Sequence, residues 1–231
     1  MAQSTAPITG ISSMATRRVL ADLAAAYERQ SGLRVAIESV GGVDAARRIR
    51  AGEGFDFVVL ASGAIDDLAA AGRIDPKTRI DLARSHVAMA VASGAPRPDI
   101  GSEQAVRSAV LAARSIGYST GPSGRYLARL FERWGIADVV APRMVEAAPG
   151  VAVGALLARG DAEIGFQQLS ELMHVPGIEV VGMLPSEIQE VTVFSGAVCT
   201  SSTRRAATEA LLSFCASPAA EAAKRSHGMQ P

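Results

Sequence analysis

Ser12-Ser13, Gly41-Gly42, Ser62-Gly63, Pro122-Ser123-Gly124 and Gln167-Gln168 share one kind of placement. Each follows a short apolar run, and most precede an amphipathic stretch. Small residues at such junctions let a ligand approach the backbone closely, while serine and glutamine add neutral hydrogen-bond donors. A following helix adds free N–H groups and the positive end of its dipole. Together these parts make a site for an oxyanion or carboxylate without metal, nucleotide or cofactor. Any one junction reads better as ordinary turn chemistry, and Ser12 or Ser13 alone reads as a helix cap. Repetition along the chain is what raises the anion reading.

The elements needed to gather these junctions alternate. Ile8–Ser12, Arg34–Val40 and Phe55–Ala61 read as strands, each followed by a helix: Ala15–Gln30, a stretch ending near Gly52, and Ala64–Ala71. Three such units imply a parallel sheet covered on both faces, and ligands bind beyond the carboxyl ends of such strands. Further along, Arg114–Ser119 and Ala162–Phe166 read as strands, and Ser102–Ala113, Arg125–Trp134 and Gly150–Arg159 as helices. Ile178–Gly182 and Glu190–Thr200 are further strands, and two alanine-rich helices finish the chain. The long extended runs at Arg79–Ala92 and Glu190–Thr200 are the expected crossovers between two lobes. Lobe I is then 1–84 plus 195–231, and lobe II is 85–194.

Composition narrows the function. The 231 residues carry 23 basic and 23 acidic side chains, so no long-range field draws nucleic acid or an anionic membrane. Cys199 and Cys215 read as buried thiols, with no neighbours for a zinc site, and no run is long enough to span a membrane. Met1–Pro7 has neither a basic start nor an apolar stretch. As it stands, the sequence is expected in the cytoplasm; a processed mature form would be periplasmic. Motifs for dinucleotides, nucleotide phosphates, serine hydrolysis and zinc proteolysis are absent.

Ile8–Arg18, Gly41-Gly42-Val43-Asp44, Phe55–Ser62, Tyr118–Arg125 and Gly165–Gln168 resemble the binding loops of the molybdate-binding-protein family. Those are type II periplasmic solute-binding proteins serving ABC transporters. The resemblance implies a two-lobe α/β fold with mixed, mostly parallel sheets flanked by helices and a ligand cleft between the lobes. It matches Ser12 or Ser13 to a first-loop serine donor, Ser123 and Gly124 to a backbone-donor loop, and Val151 or Val153 to a second backbone donor. A second-loop serine falls at Gly41 or Gly42, and the tyrosine ending the last binding strand falls at Gln167 or Gln168. With Arg125 nearby, these departures point away from tetrahedral molybdate and toward a wider carboxylate. The expected partners are a small anionic ligand and, if the protein is exported, an ABC permease.

Gly165–Leu172, with Pro176-Gly177-Ile178 after it, is also similar to the aconitate-isomerase-like branch of that superfamily. That resemblance implies the alternative: a cytoplasmic isomerase moving a proton across the allylic system of an unsaturated carboxylic acid. The sequence singles out no base for it. Glu171 reads as a solvated helical glutamate, and Glu38 and Asp56 as structural acceptors. His86, His174 and His227 have no evident catalytic partner; Arg17 and Arg18, near the first helix start, are within reach of an anion, and one of them is expected to be solvated.

Overall fold

Apolar residues at a period of two and amphipathic stretches at a period near 3.6 alternate along the chain, and the computed structural model follows them. It describes residues 6–148 and 150–231, so the first five residues of the Met1–Pro7 stretch lie outside it. The elements run β1 (Ile8–Ser13), α1 (Arg17–Ser31), β2 (Val35–Val40), α2 (Gly42–Arg50), β3 (Phe57–Ala61), α3 (Ser62–Ala70) and β4 (Ile80–Ala92). They continue through α4 (Glu103–Ala112), β5 (Ile116–Tyr118), α5 (Pro122–Arg133), α6 (Ala137–Val140), β6 (Met144–Glu146), α7 (Val153–Arg159), β7 (Ile164–Gln168) and α8 (Leu169–Leu172). The last are β8 (Ile178–Met183), β9 (Val191–Val198), α9 (Arg205–Ala216), α10 (Glu221–Ser226) and β10 (Met229–Gln230). By its internal contacts the chain forms two units: one runs to Arg84 and resumes at Val193, the other is Ser85–Thr192.

In the first unit β1 pairs in parallel with both β2 and β3, and β9 pairs antiparallel with β3. Successive residues of a strand face opposite ways. Phe57, Val59, Phe194 and Val198 therefore meet Val19, Leu23, Leu211 and Leu212 of α1 and α9. Val58, Leu60 and Ala197 meet Ala45, Ile49, Ile65 and Leu68 of α2 and α3 on the other face. Gly10 is opposite Phe57, whose ring lies where a side chain would go: a Cβ there would sit 2.2 Å from Cζ. Asp56 fastens the strand bottoms. Its carboxylate accepts from the Thr9 amide at 2.9 Å, the Thr9 hydroxyl at 3.2 Å and the Ser202 hydroxyl at 2.6 Å, a structural role as expected.

In the second unit β5 pairs in parallel with β6 and β7, while β4 pairs antiparallel with β7 and β8. Val87, Met89 and Val91 of β4 pack with α4 and α5; Ala88 and Ala90 pack with α7. The helix expected from Gly150 begins at Val153, the Val151 amide donating instead to the Ala148 carbonyl. α6 and β10 were not expected; at four and two residues they are too short to show a period. Cys199 and Cys215 are free, buried thiols, each pushed up to about 12 by burial. No helix among the described residues is long and apolar enough to cross a membrane.

Candidate functional site

Because β1, β2 and β3 run the same way, their carboxyl ends lie along one edge of the first unit's sheet, and each leads straight into a helix. After Ser13 comes a 3-10 turn, Met14–Thr16, and then α1; after Gly41 comes α2; after Ala61 comes α3. None of these starts has a side-chain cap. Ordinary capping does occur elsewhere, where Ser102 accepts from the Ala105 amide at the start of α4. Three uncapped helical starts along one sheet edge concentrate unsatisfied N–H groups, the physical requirement for an anion.

The serines divide their work. Ser12 is fully buried, and its hydroxyl lies 2.8 Å from the Ser39 hydroxyl, its register partner on β2. Ser13 is the residue at the strand end. Its hydroxyl lies 3.5 Å from that of Thr16, which donates to the Ser13 carbonyl at 3.1 Å. Gly42 comes against Ser13: a Cβ on it would lie 3.6 Å from the Ser13 Cβ. Ser39, which the sequence reading passed over, meets Ser12 on the sheet face opposite to that of Ser13. Register, not proximity in sequence, brings it there. Ser62 is half-buried as the first residue of α3.

In the second unit Ser119 and Ser123 hydroxyls stand 3.4 Å apart across the loop that enters α5. A Cβ at Gly124 would fall 1.6 Å from the Ser119 carbonyl oxygen, so the loop folds onto the helix only because glycine is there. Arg125 is exposed and turns back to the Thr120 carbonyl at 3.4 Å. Tyr118 donates to Glu146 at 3.0 Å, linking neighbouring strand ends. Both matched backbone donors of the next loop are already engaged. The Val151 amide donates to the Ala148 carbonyl at 2.9 Å, and the Val153 amide to Gln167 Oε1 at 2.8 Å.

Gln167 and Gln168 do not act as a pair, since adjacent strand residues project to opposite faces. Gln167 faces α7, and its Nε2 donates to Glu171 Oε1 at 2.8 Å. Gln168 faces β9, where its Nε2 donates to the Thr192 hydroxyl at 2.7 Å. Its Oε1 is buried with no partner among the described residues, although Gln168 is only 1 % exposed. Buried acceptors of this kind are rare and ask for a donor.

Glu171 overturns the reading of a solvated helical glutamate. It is half-buried, held by Gln167, and burial pushes its carboxyl up to about 7, slightly offset by the Gln167 hydrogen bond. The other acid–base candidates remain structural. Glu38 is tied to Arg48, whose guanidinium lowers its carboxyl, and Asp56 is the staple described above. His227 does have a partner: its Nε2 is 2.7 Å from Asp22. His86 is half-buried within β4, and His174 is exposed in the turn after α8. Among the described residues no cluster of three or more His, Cys, Asp or Glu could hold a metal ion.

The family model described as bacterial extracellular solute-binding protein matches residues 8–230. An aconitate isomerase from a Pseudomonas species is 39% identical over 238 residues, covering 100% of this chain and 90% of that protein. The periplasmic molybdate-binding protein of Azotobacter vinelandii superimposes with a TM-score of 0.81 at 21% identity, over 97% of this chain and 99% of that one. A sulfate-binding protein of Mycobacterium tuberculosis gives 0.79 at 17% identity, over 97% and 86%. Both solved structures share this mixed α/β fold.

Proposed function

The chain belongs to the bacterial extracellular solute-binding protein family, and we propose that it binds a small anion, a di- or tricarboxylate in preference to a tetrahedral oxyanion. The observation that carries this reading is the row of uncapped helical starts after Ser13, Gly41 and Ala61. The sulfate- and molybdate-binding relatives in fold support an anion of some kind. The preference for carboxylate rests on the Gln168 amide, since that of Gln167 is engaged at both ends. Turning the Gln168 side chain over lets Oε1 accept from the Thr192 hydroxyl and frees Nε2 to donate, a donor suited to a carboxylate oxygen. In the transport reading the protein's partner is the permease of an ABC transporter.

Titration calorimetry against molybdate, tungstate, sulfate, citrate and the two aconitates tests this. Heat is expected with a tricarboxylate and little with molybdate or sulfate. Absence of heat with every one of them overturns anion binding, and tight molybdate with silent carboxylates overturns the preference.

A second reading has its own support in the full-length similarity to an aconitate isomerase. Here the bound acid is also a substrate, and a proton moves across its allylic system. Incubation with cis- and trans-aconitate, followed by separation of the isomers, distinguishes catalysis from binding alone.

A further inference from the structure

We propose that Gln168, Ser85 and Ser170 form a subsite of the second unit that holds a ligand carboxylate by neutral donors alone. Its residues all lie within Ser85–Thr192, so its geometry needs nothing from the first unit's strand ends. It rests on the reading above only for the class of ligand. Strand alternation brings the residues together. Ile164 and Phe166 of β7 and Val87, Met89 and Val91 of β4 share one apolar face that packs with α4 and α5. Gln168 opposes Val87 in the β4–β7 register and continues that face, as Ser85 does two residues before Val87. The Ser85 hydroxyl lies 3.4 Å from that of Ser170 on α8, and Thr192 of β9 meets Gln168 Nε2 at 2.7 Å. The face thus turns from apolar to polar without leaving the interior. Ser85, Gln168, Ser170 and Thr192 are 0, 1, 6 and 7 % exposed.

Polar side chains buried beside rows of Val, Met, Ile and Phe cost stability unless each finds a partner. Here they do not all find one. Gln168 Oε1 is left without a partner among the described residues, and the serine pair stands at the long limit of a hydrogen bond. Turning the amide over lets Oε1 accept from the Thr192 hydroxyl and leaves both Nε2 hydrogens without an acceptor. One serine hydroxyl donates to the other, so one serine hydrogen is left over as well. Every hydrogen bond the cluster then lacks is one that it would donate. Such a surplus calls for a group made of acceptors. A carboxylate is that group: two oxygens rich in lone pairs, with no hydrogen of its own. No charged side chain bonds to the cluster, so hydrogen bonds to the carboxylate, rather than an ion pair, set the affinity.

The test titrates citrate and trans-aconitate into the wild-type protein, Gln168→Met and Ser85→Ala, with a melting curve for each. Methionine keeps the length of glutamine and removes its donors. Gln168→Met is expected to weaken carboxylate binding by about 10–100-fold. Its melting temperature is expected to stay level or rise, because an apolar chain replaces an incompletely bonded buried amide. Ser85→Ala is expected to weaken binding by about 3–10-fold. A third measurement keeps the wild-type fold: with glutamine side chains labelled by ¹⁵N, the Gln168 NH₂ resonances are identified by their loss in Gln168→Met. They are expected to move downfield as citrate is added. Affinity within about threefold of wild type in Gln168→Met overturns the subsite while leaving anion binding intact. So do Gln168 resonances that stay still in a citrate-saturated protein. If affinity and melting temperature fall together in Gln168→Met, those resonances decide. A wild-type protein that takes up neither acid removes the carboxylate reading, and this subsite with it.

Discussion

Glu171 holds its proton to about pH 7 in the folded protein, whereas an unfolded chain releases it near 4.5. Between those values the folded state binds more protons, so this group's contribution is fully present below about 4.5 and is lost as pH rises through about 7. Glu171→Gln removes the ionisation and keeps the hydrogen bond. Its melting temperature is expected to match wild type near pH 4.5 and to exceed it by about 3–6 °C at pH 8.5. Scanning calorimetry at both pH values checks this; an advantage that does not grow with pH contradicts the buried carboxyl. The sequence could not show this residue's state. A glutamate on a helix just after the Gln167-Gln168 pair looks solvated, but α8 has only four residues and lies against α7 and β7. Ser39 escaped notice for a related reason: its hydroxyl meets Ser12 through strand register, which spacing along one strand does not reveal. Cys199 and Cys215 were legible, because each lies in an apolar stretch that buries it.

At the scale of elements, the loop between β5 and α5 depends on one glycine. Gly124→Ala places a methyl group 1.6 Å from the Ser119 carbonyl oxygen, a backbone atom that cannot rotate away. The loop must shift, at a cost of about 1–3 kcal/mol or more, and Ser119 and Ser123 move with it. A melting temperature lower by about 3–10 °C and an anion affinity weaker by about tenfold are expected, read by calorimetry and titration on one sample. The order of strands and helices was largely readable because each long element carries its own period and turn signal. Side-chain partners across elements were not: the Val153 amide looked available to a ligand, yet Gln167, fourteen residues on, occupies it.

For the molecule as a whole, binding adds to stability. A ligand that binds only the folded protein and is present at a hundred times its Kd contributes about 2.7 kcal/mol, which for a chain of this size raises the melting temperature by about 5–10 °C. Thermal scans with citrate, aconitate, molybdate and sulfate at equal concentration are therefore expected to rank the anions as calorimetry does. A ranking led by molybdate would reverse the proposed selectivity. The runs that form β4 and β9 were visible in sequence as long extended stretches, whereas their antiparallel pairings with β7, β8 and β3 were not. Direction of pairing depends on connections that lie far away along the chain.

That distance sets an order of events during synthesis. The first unit's core joins Phe57 and Val59 to Phe194, Val198, Leu211 and Leu212, and Phe57 pairs with Val198 across β3 and β9. None of those partners has left the ribosome until all of Ser85–Thr192 has emerged, and that stretch is continuous and holds its own core. The unit that starts last is therefore the one that completes its core first, while β1 to β3, covered by α2 and α3 on one face, wait on the other for the strand and helix that complete it. Stalled nascent chains of increasing length are expected to gain protease resistance across residues 85–192 before any across residues 8–84.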